Sequence, residues 1–236
     1  MNYVNLFTFF CVIIWNINII RSALQCVDES GKPVDWYVLY KLPEIAHESS
    51  LVSNGSAYLY ITSETLQDGW IQSDQPIYSE HSLVARTLKN LYETQNEEIW
   101  VVYNDQGPLI KGLLYGHTKG VIGADENNGF WLIHSVPHFP SLNHEYSYPQ
   151  SGHKNGQSML CISFLKDQID TLGQILMYYK PLILEKKISA KLSSEYPQLV
   201  AAAKGARVRK APWQLSSTLT SAKGRKFTNF AKAKKI

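Results

Sequence analysis

The spacing of apolar and polar residues changes period several times along these 236 residues, and each change marks an element. Val34, Trp36, Val38 and Tyr40 interleave with Asp35, Tyr37 and Leu39, a period of two that predicts a strand with at least one buried face. The short β-branched and aromatic runs Ala57 to Ile61 and Ile99 to Tyr103 predict two more strands. Between them Leu83, Val84, Thr87, Leu88 and Leu91 recur at helical spacing behind Ser79 and Ser82, either of which suits an N-cap. Lys119 to Gly123 and Gly129 to His134 read as the arms of a hairpin, because Asp125 to Gly129 is rich in turn formers. Met159 to Phe164 predicts a buried strand, and Phe164 to Tyr178 a helix weakened by Gly173. Leu182 to Ala203 predicts a further helix, broken at Pro197. There is no internal repeat, and strands interleaved with helices argue for an α/β domain with a mixed sheet flanked by helices.

The start of the chain follows a different logic. Leu6 to Ile14 and Trp15 to Ile20 form an apolar run interrupted by Asn16 and Asn18, and Arg21 closes it before the small pair Ser22-Ala23. This run is short and polar-ended for a membrane span, which needs about 20 apolar residues. It predicts a signal peptide over residues 1–22, although Lys and Arg are missing ahead of the run. Removal leaves residues 23–236, enough for one domain with a sizeable core and no membrane segment. Cys11 lies in the leader, so Cys26 and Cys161 are the mature cysteines. In an exported chain a disulfide is the simplest reading of such a pair, with two buried thiols as the alternative. Asn54-Gly55-Ser56, in a Ser/Asn/Gly-rich stretch, is the sole glycosylation sequon and predicts a surface loop.

Charge is unevenly distributed. From Lys186 onward there are thirteen Lys/Arg and one acid, Glu195, whereas the preceding residues carry ten basic and nineteen acidic side chains. The basic stretches Lys204 to Lys210, Lys223 to Lys226 and Lys232 to Lys235 could contact DNA phosphates without reading sequence, or form a solvated tail. An apolar content of 44% excludes a chain disordered throughout.

Candidate chemistry centres on Gly116-His117-Thr118-Lys119-Gly120. In extended backbone His117 and Lys119 project from one face and offer an imidazole and a fixed cation to a single anion. The flanking glycines leave room for a phosphate near the backbone. A hairpin turn centred near Asn127 would set Ser135 opposite Lys119 and His134 opposite Gly120, so both are candidate supports. A slip of one residue would exchange which of them faces inward. His47 and His81 read as solvated, and His138 and His144 as loop residues. No carboxylate cluster or His-x₃-His spacing reads as a metal site.

These residues sit within a longer set. Cys26, Pro33-Val34-Asp35-Trp36, Tyr40-Lys41-Leu42-Pro43, Tyr103-Asn104-Asp105, the Gly116 to Gly120 core and Gly129 to Pro137 come first. Phe139-Pro140, Gly156-Gln157-Ser158, Leu160-Cys161 and Phe230-Ala231-Lys232 follow. In order and spacing they resemble the deoxyribonuclease II family, acid endonucleases distantly related to phospholipase D. The resemblance implies one lobe of a two-lobed fold, a Cys26–Cys161 disulfide, secretion or lysosomal residence, and a DNA substrate cut to leave 3′-phosphates. It implies no cofactor and no metal: two His-x-Lys motifs meet across a cleft, one histidine attacks phosphorus, the other protonates the leaving oxygen, and the lysines hold the non-bridging oxygens. With an ordinary pKa near 6.5, imidazole supplies both forms in an acidic compartment. His117 and Lys119 match the first motif, while Asp125 is given no catalytic role.

No second His-x-Lys occurs, and His153-Lys154 are adjacent and cannot share a strand face. The expectations left open are a domain cut short before its second lobe is complete, a lobe genuinely lost, a homodimer that pairs two single motifs, and a secreted DNA-binding protein without the chemistry.

Overall fold

The computed structural model describes residues 23–93, 97–107, 114–143 and 145–233. The expected leader and His144 lie outside the described residues. In chain order the elements are β1 (Trp36–Lys41), α1 (Ser50–Ser53), β2 (Tyr58–Thr62), β3 (Ile71–Gln72), α2 (Leu83–Tyr92), β4 (Ile99–Asn104), β5 (Lys119–Ala124) and β6 (Asn128–His134). Then come β7 (Gln157–Leu165), α3 (Lys166–Tyr179), β8 (Ile183–Ile188), α4 (Pro197–Ala203), β9 (Gln214–Thr220) and β10 (Lys226–Lys232). Eight strands form one sheet in the order β3-β2-β1-β7-β6-β5-β4-β8, and β9 and β10 form a separate ribbon. The layered α/β architecture is as expected. The sheet itself is antiparallel at every described pairing, not mixed.

Two cores flank the sheet. On one face Tyr37, Leu39, Val102, Phe130 and Leu132 pack against Leu83, Val84 and Leu88 of α2. Ser82 caps α2 by accepting from the Ala85 N–H at 3.2 Å, which settles the choice between the two serines. Cys26 lies in this core, joined to Cys161 of β7 by a disulfide with a Cα–Cα distance of 6.0 Å. On the other face α3, α4 and the β9–β10 ribbon cover Val101, Ile122, Trp131 and Phe164. Gly173, expected to weaken its helix, has a packing reason: a Cβ there would lie 2.1 Å from the Leu199 nitrogen of α4.

Three expectations are corrected. Leu182 to Ala203 is not one helix: its first part is the edge strand β8, paired with β4, and Pro197 begins α4 instead of breaking a helix. Leu184, Ile188 and Leu192 fall four residues apart and mimic a helical stripe, but pairing with β4 dominates. The fixed φ of proline then suits a first helical turn. Of the basic end, for which a solvated tail was one alternative, Gln214 to Lys232 is instead the folded β9–β10 ribbon. The ribbon is anchored at the turn by Asp35, which accepts from the Ser221 hydroxyl at 2.6 Å and the Lys223 N–H at 2.7 Å. Finally, the β5–β6 register differs by one residue from the expected one, with Gly120 opposite Ile133. Asp125 sets it: one carboxylate oxygen accepts from the N–H groups of both Asn127 and Asn128 at 2.8 Å. That cap centres the turn between Glu126 and Asn127.

Candidate active site

At the end of the sheet where β4 finishes and β5 starts, three side chains converge. Asn104 closes β4 as a buried amide, donating to the carbonyls of Val136 (3.0 Å) and Phe139 (2.9 Å) and accepting from Gln106 N–H at 2.9 Å. These bonds tie the strand end to the Val136–Phe139 segment and fix the direction of Asp105, the next residue. Asp105 Oδ1 accepts from Lys119 Nζ at 2.6 Å, and Asp105 Oδ2 lies 2.7 Å from His117 Nδ1. Lys119 is opposite Asn104 at the first position of β5. His117 precedes the strand in a tight turn, where Thr118 N–H donates to the Gly116 carbonyl at 2.9 Å, so the extended backbone expected there is not observed; its side chain meets Lys119 on one carboxylate all the same.

The electrostatics follow from burial. The Lys119 side chain is 4% exposed and its ammonium has the Asp105 carboxylate as counterion, a charge-assisted bond that offsets desolvation. Burial would push the Asp105 carboxyl up, but hydrogen bonds and charge from Lys119 and His117 outweigh it and hold the group below the usual carboxylate range. An ionised carboxylate only accepts, so His117 Nδ1 carries a proton. Nε2 is left to act, on an imidazole whose side chain is 84% exposed. Nδ1 bound and Nε2 outward is the arrangement a nucleophilic or proton-donating histidine needs.

The glycines act differently from the expectation. A Cβ on Gly116 would lie 2.0 Å from the Tyr179 carbonyl oxygen, and one on Gly120 would lie 2.4 Å from the Tyr103 hydroxyl. Protein atoms occupy the space reserved above for a phosphate. Gly116 N–H also donates to the Lys180 carbonyl at 2.9 Å, seating the His117 segment on the end of α3.

The two candidate supports separate. The observed register puts His134 on the Lys119 side, buried at the end of β6, with its Nδ1 accepting from Val136 N–H at 3.2 Å and Phe139 edge-on to its ring. Burial, with the nearby Lys119 charge adding to it, pushes this imidazole down to about 3. Ser135 is exposed and spent on pairing, donating to Gln157 Oε1 at 2.5 Å and accepting from Ser158 N–H at 2.9 Å. His47 and His81 are exposed, as expected, and so is His138. His138 N–H bonds the Gln106 carbonyl, and its side chain lines an open cleft of about 240 Å³ with Ser141, Asn143 and Leu184. Among the described residues no group of three or more metal-ligating side chains is gathered.

Asn54 is exposed in a tight turn after α1, its Oδ1 accepting from Ser56 N–H and hydroxyl at 3.0 and 2.5 Å. Asp105 is the residue that sequence reasoning missed. It stood in the Tyr103-Asn104-Asp105 block without a role, and no spacing rule links positions so far apart in sequence.

Residues 25–236 match the family model of deoxyribonuclease II. The chain belongs to the deoxyribonuclease II family. Among its relatives, Deoxyribonuclease-2-alpha of Sus scrofa is 38% identical over 217 residues, covering 89% of this chain and 59% of the relative. Deoxyribonuclease-2-beta of Homo sapiens is 37% identical over 222 residues (90% and 60%), and Plancitoxin-1 of Acanthaster planci 35% over 223 residues (91% and 61%). The chain thus spans about three-fifths of the length of these relatives.

Proposed function

We propose that this chain contributes one His–Lys half of a metal-independent acid endodeoxyribonuclease site. The observation that carries the reading is the convergence of His117 and Lys119 on Asp105. With Nδ1–H held by Asp105, the Nε2 lone pair attacks a DNA phosphorus. An N–P bond forms, the P–O5′ bond breaks, and the departing oxygen takes a proton from a second acid. Water then opens the phosphohistidine, leaving a 3′-phosphate and a free His117. Lys119 holds positive charge beside the non-bridging oxygens without moving, because Asp105 fixes it. The proton donor and opposing lysine come from a second His–Lys pair. A second copy of the chain, paired about a two-fold axis, would supply one. An exported, glycosylated protein acting in an acidic lumen or outside the cell fits this chemistry: the disulfide belongs in an oxidising compartment, and Asn54 is exposed on a turn.

The test is plasmid nicking at acidic pH in EDTA by the purified chain, with monomer and dimer fractions assayed separately. Activity should be confined to the dimer and lost in His117→Ala and Lys119→Ala, and quenching with alkaline denaturant, in which the N–P bond survives, should trap the 3′-phosphoryl strand on His117. Nicking that survives His117→Ala, or that EDTA abolishes, refutes the histidine mechanism. DNA binding with no cleavage in any fraction would favour the non-catalytic binding protein.

A further inference from the structure

We propose that the outward face of the β9–β10 ribbon is a docking surface for single-stranded DNA, with Phe230 as a stacking platform and Lys226 and Lys232 as its phosphate partners. The inference rests on the reading of this chain as a DNA-acting protein. Burial alternates along both strands of the ribbon. Leu215, Leu219, Phe227 and Ala231 face the α3 core, which turns Ser216, Thr218, Lys226, Thr228, Phe230 and Lys232 outward. Phe230 is 76% exposed, the most exposed aromatic among the described residues, and stands opposite Ser216. Same-face positions on a strand repeat about every 6.8 Å. Lys232 therefore sits one repeat and Lys226 two repeats from the ring, close enough for long side chains to reach phosphates flanking a base stacked on it.

Charge names the occupant. No acidic residue follows Glu195 anywhere in the chain. The ribbon is therefore cationic and rich in hydroxyls around one bare ring, which suits a polyanion with accessible aromatic faces. A duplex hides its base faces, whereas a single strand presents them. A second copy of the chain would bring like charge onto like charge. Lys223 is left out of this set, because it is paired with Glu64 at 2.7 Å.

The platform is held in place. The Asp35 bonds fix its turn, Ala222 N–H donates to the Ser163 carbonyl at 2.8 Å, and Ala233 N–H closes the open end on Trp213 at 2.8 Å. Its inner side is also tied to the segment that carries His117. Asn229 donates to the Tyr179 hydroxyl at 2.5 Å, and the Tyr179 carbonyl packs on Gly116, next to His117. The ribbon and the His117 segment thus rest on the same residue, Tyr179.

The experiment is fluorescence anisotropy of a labelled oligothymidylate and of a blunt duplex with the full chain, in EDTA at neutral pH across a salt series. Phe230→Ala should weaken oligothymidylate binding about 5- to 100-fold while affecting the duplex little, and Phe230→Trp should retain binding. Lys226→Gln with Lys232→Gln should reduce the log–log salt slope by about 1.4. Unchanged single-strand affinity in Phe230→Ala, an unchanged slope in the double variant, or a dimer-to-monomer shift of Phe230→Ala in sedimentation would each overturn the proposal. Loss of nicking in His117→Ala with oligothymidylate binding intact separates this surface from the catalytic reading. Because Phe230 is exposed, an unchanged thermal midpoint verifies that the variant folds.

Discussion

Acid should weaken this fold through one residue, His134. Its imidazole is buried between Lys119 and Phe139, and its folded pKa lies near 3 against about 6.5 in an unfolded chain. A histidine with a depressed folded pKa stays neutral in the native state while the unfolded chain takes up a proton. The contribution is thus complete above pH 6.5 and is lost as pH falls toward 3. At 1.36 kcal/mol per pKa unit, the linkage costs about 2 kcal/mol between pH 7.5 and 5 and about 4 kcal/mol by pH 3. Carboxylates, Asp105 among them, exert their effect mainly below pH 4.5, so the window from 6.5 to 5 isolates the histidine. Urea denaturation at pH 7.5, 6 and 5 measures it. The parent midpoint should fall by about 1 M across the series. In His134→Asn, whose Oδ1 can still accept from Val136 N–H, the midpoint should start lower because the ring is lost, and then stay nearly flat. Parallel pH slopes in the two proteins would refute the reasoning, because the protonation penalty would then lie elsewhere.

Asp105→Asn should lower the thermal midpoint, because the buried Lys119 ammonium loses its counterion, and should uncouple His117, cutting DNA cleavage in the active assembly about 10²–10⁴-fold. Nitrogen NMR of the ring should show the Nδ1–H tautomer give way to a mixture, and an unchanged tautomer with full activity would count against its role. Gly173→Ala should destabilise by about 1–3 kcal/mol, measured as a fall in thermal midpoint, because the added carbon meets the Leu199 backbone. Helix propensity alone predicts the opposite sign, a gain of about 1 kcal/mol. Replacing Cys26 and Cys161 by serine should cost about 4–5 kcal/mol on the chain-entropy model for a loop of 135 residues, read from denaturant midpoints.

Local pattern was enough for much of this protein. Alternation at Val34 to Tyr40, the apolar run at Ile99 to Tyr103 and the helical spacing behind Ser82 each became the element expected, because nearest-neighbour geometry dictates those periods. His117 and Lys119 stood out as an imidazole and a cation two residues apart, but what brings them together is the Asp105 carboxylate and a turn at His117 and not the extended backbone expected. What pairs residues distant in sequence was not legible. Asp105 meets His117 and Lys119 only because β4 and β5 are antiparallel neighbours, and Asn104 aims it through carbonyls more than 30 positions away. The choice of His134 over Ser135 turned on one residue of register, which a single Asp125 cap decided. Strand β8 looked helical because an edge strand partly exposed on both faces carries no clean alternation, and only its bonds to β4 define it. Whether the basic end was a solvated tail was left open because its few apolar residues mean nothing until α3 supplies the surface they cover. Short-range chemistry is written in order along the chain, whereas the carboxylate, the register and the ribbon depend on contacts that exist only once the sheet has closed.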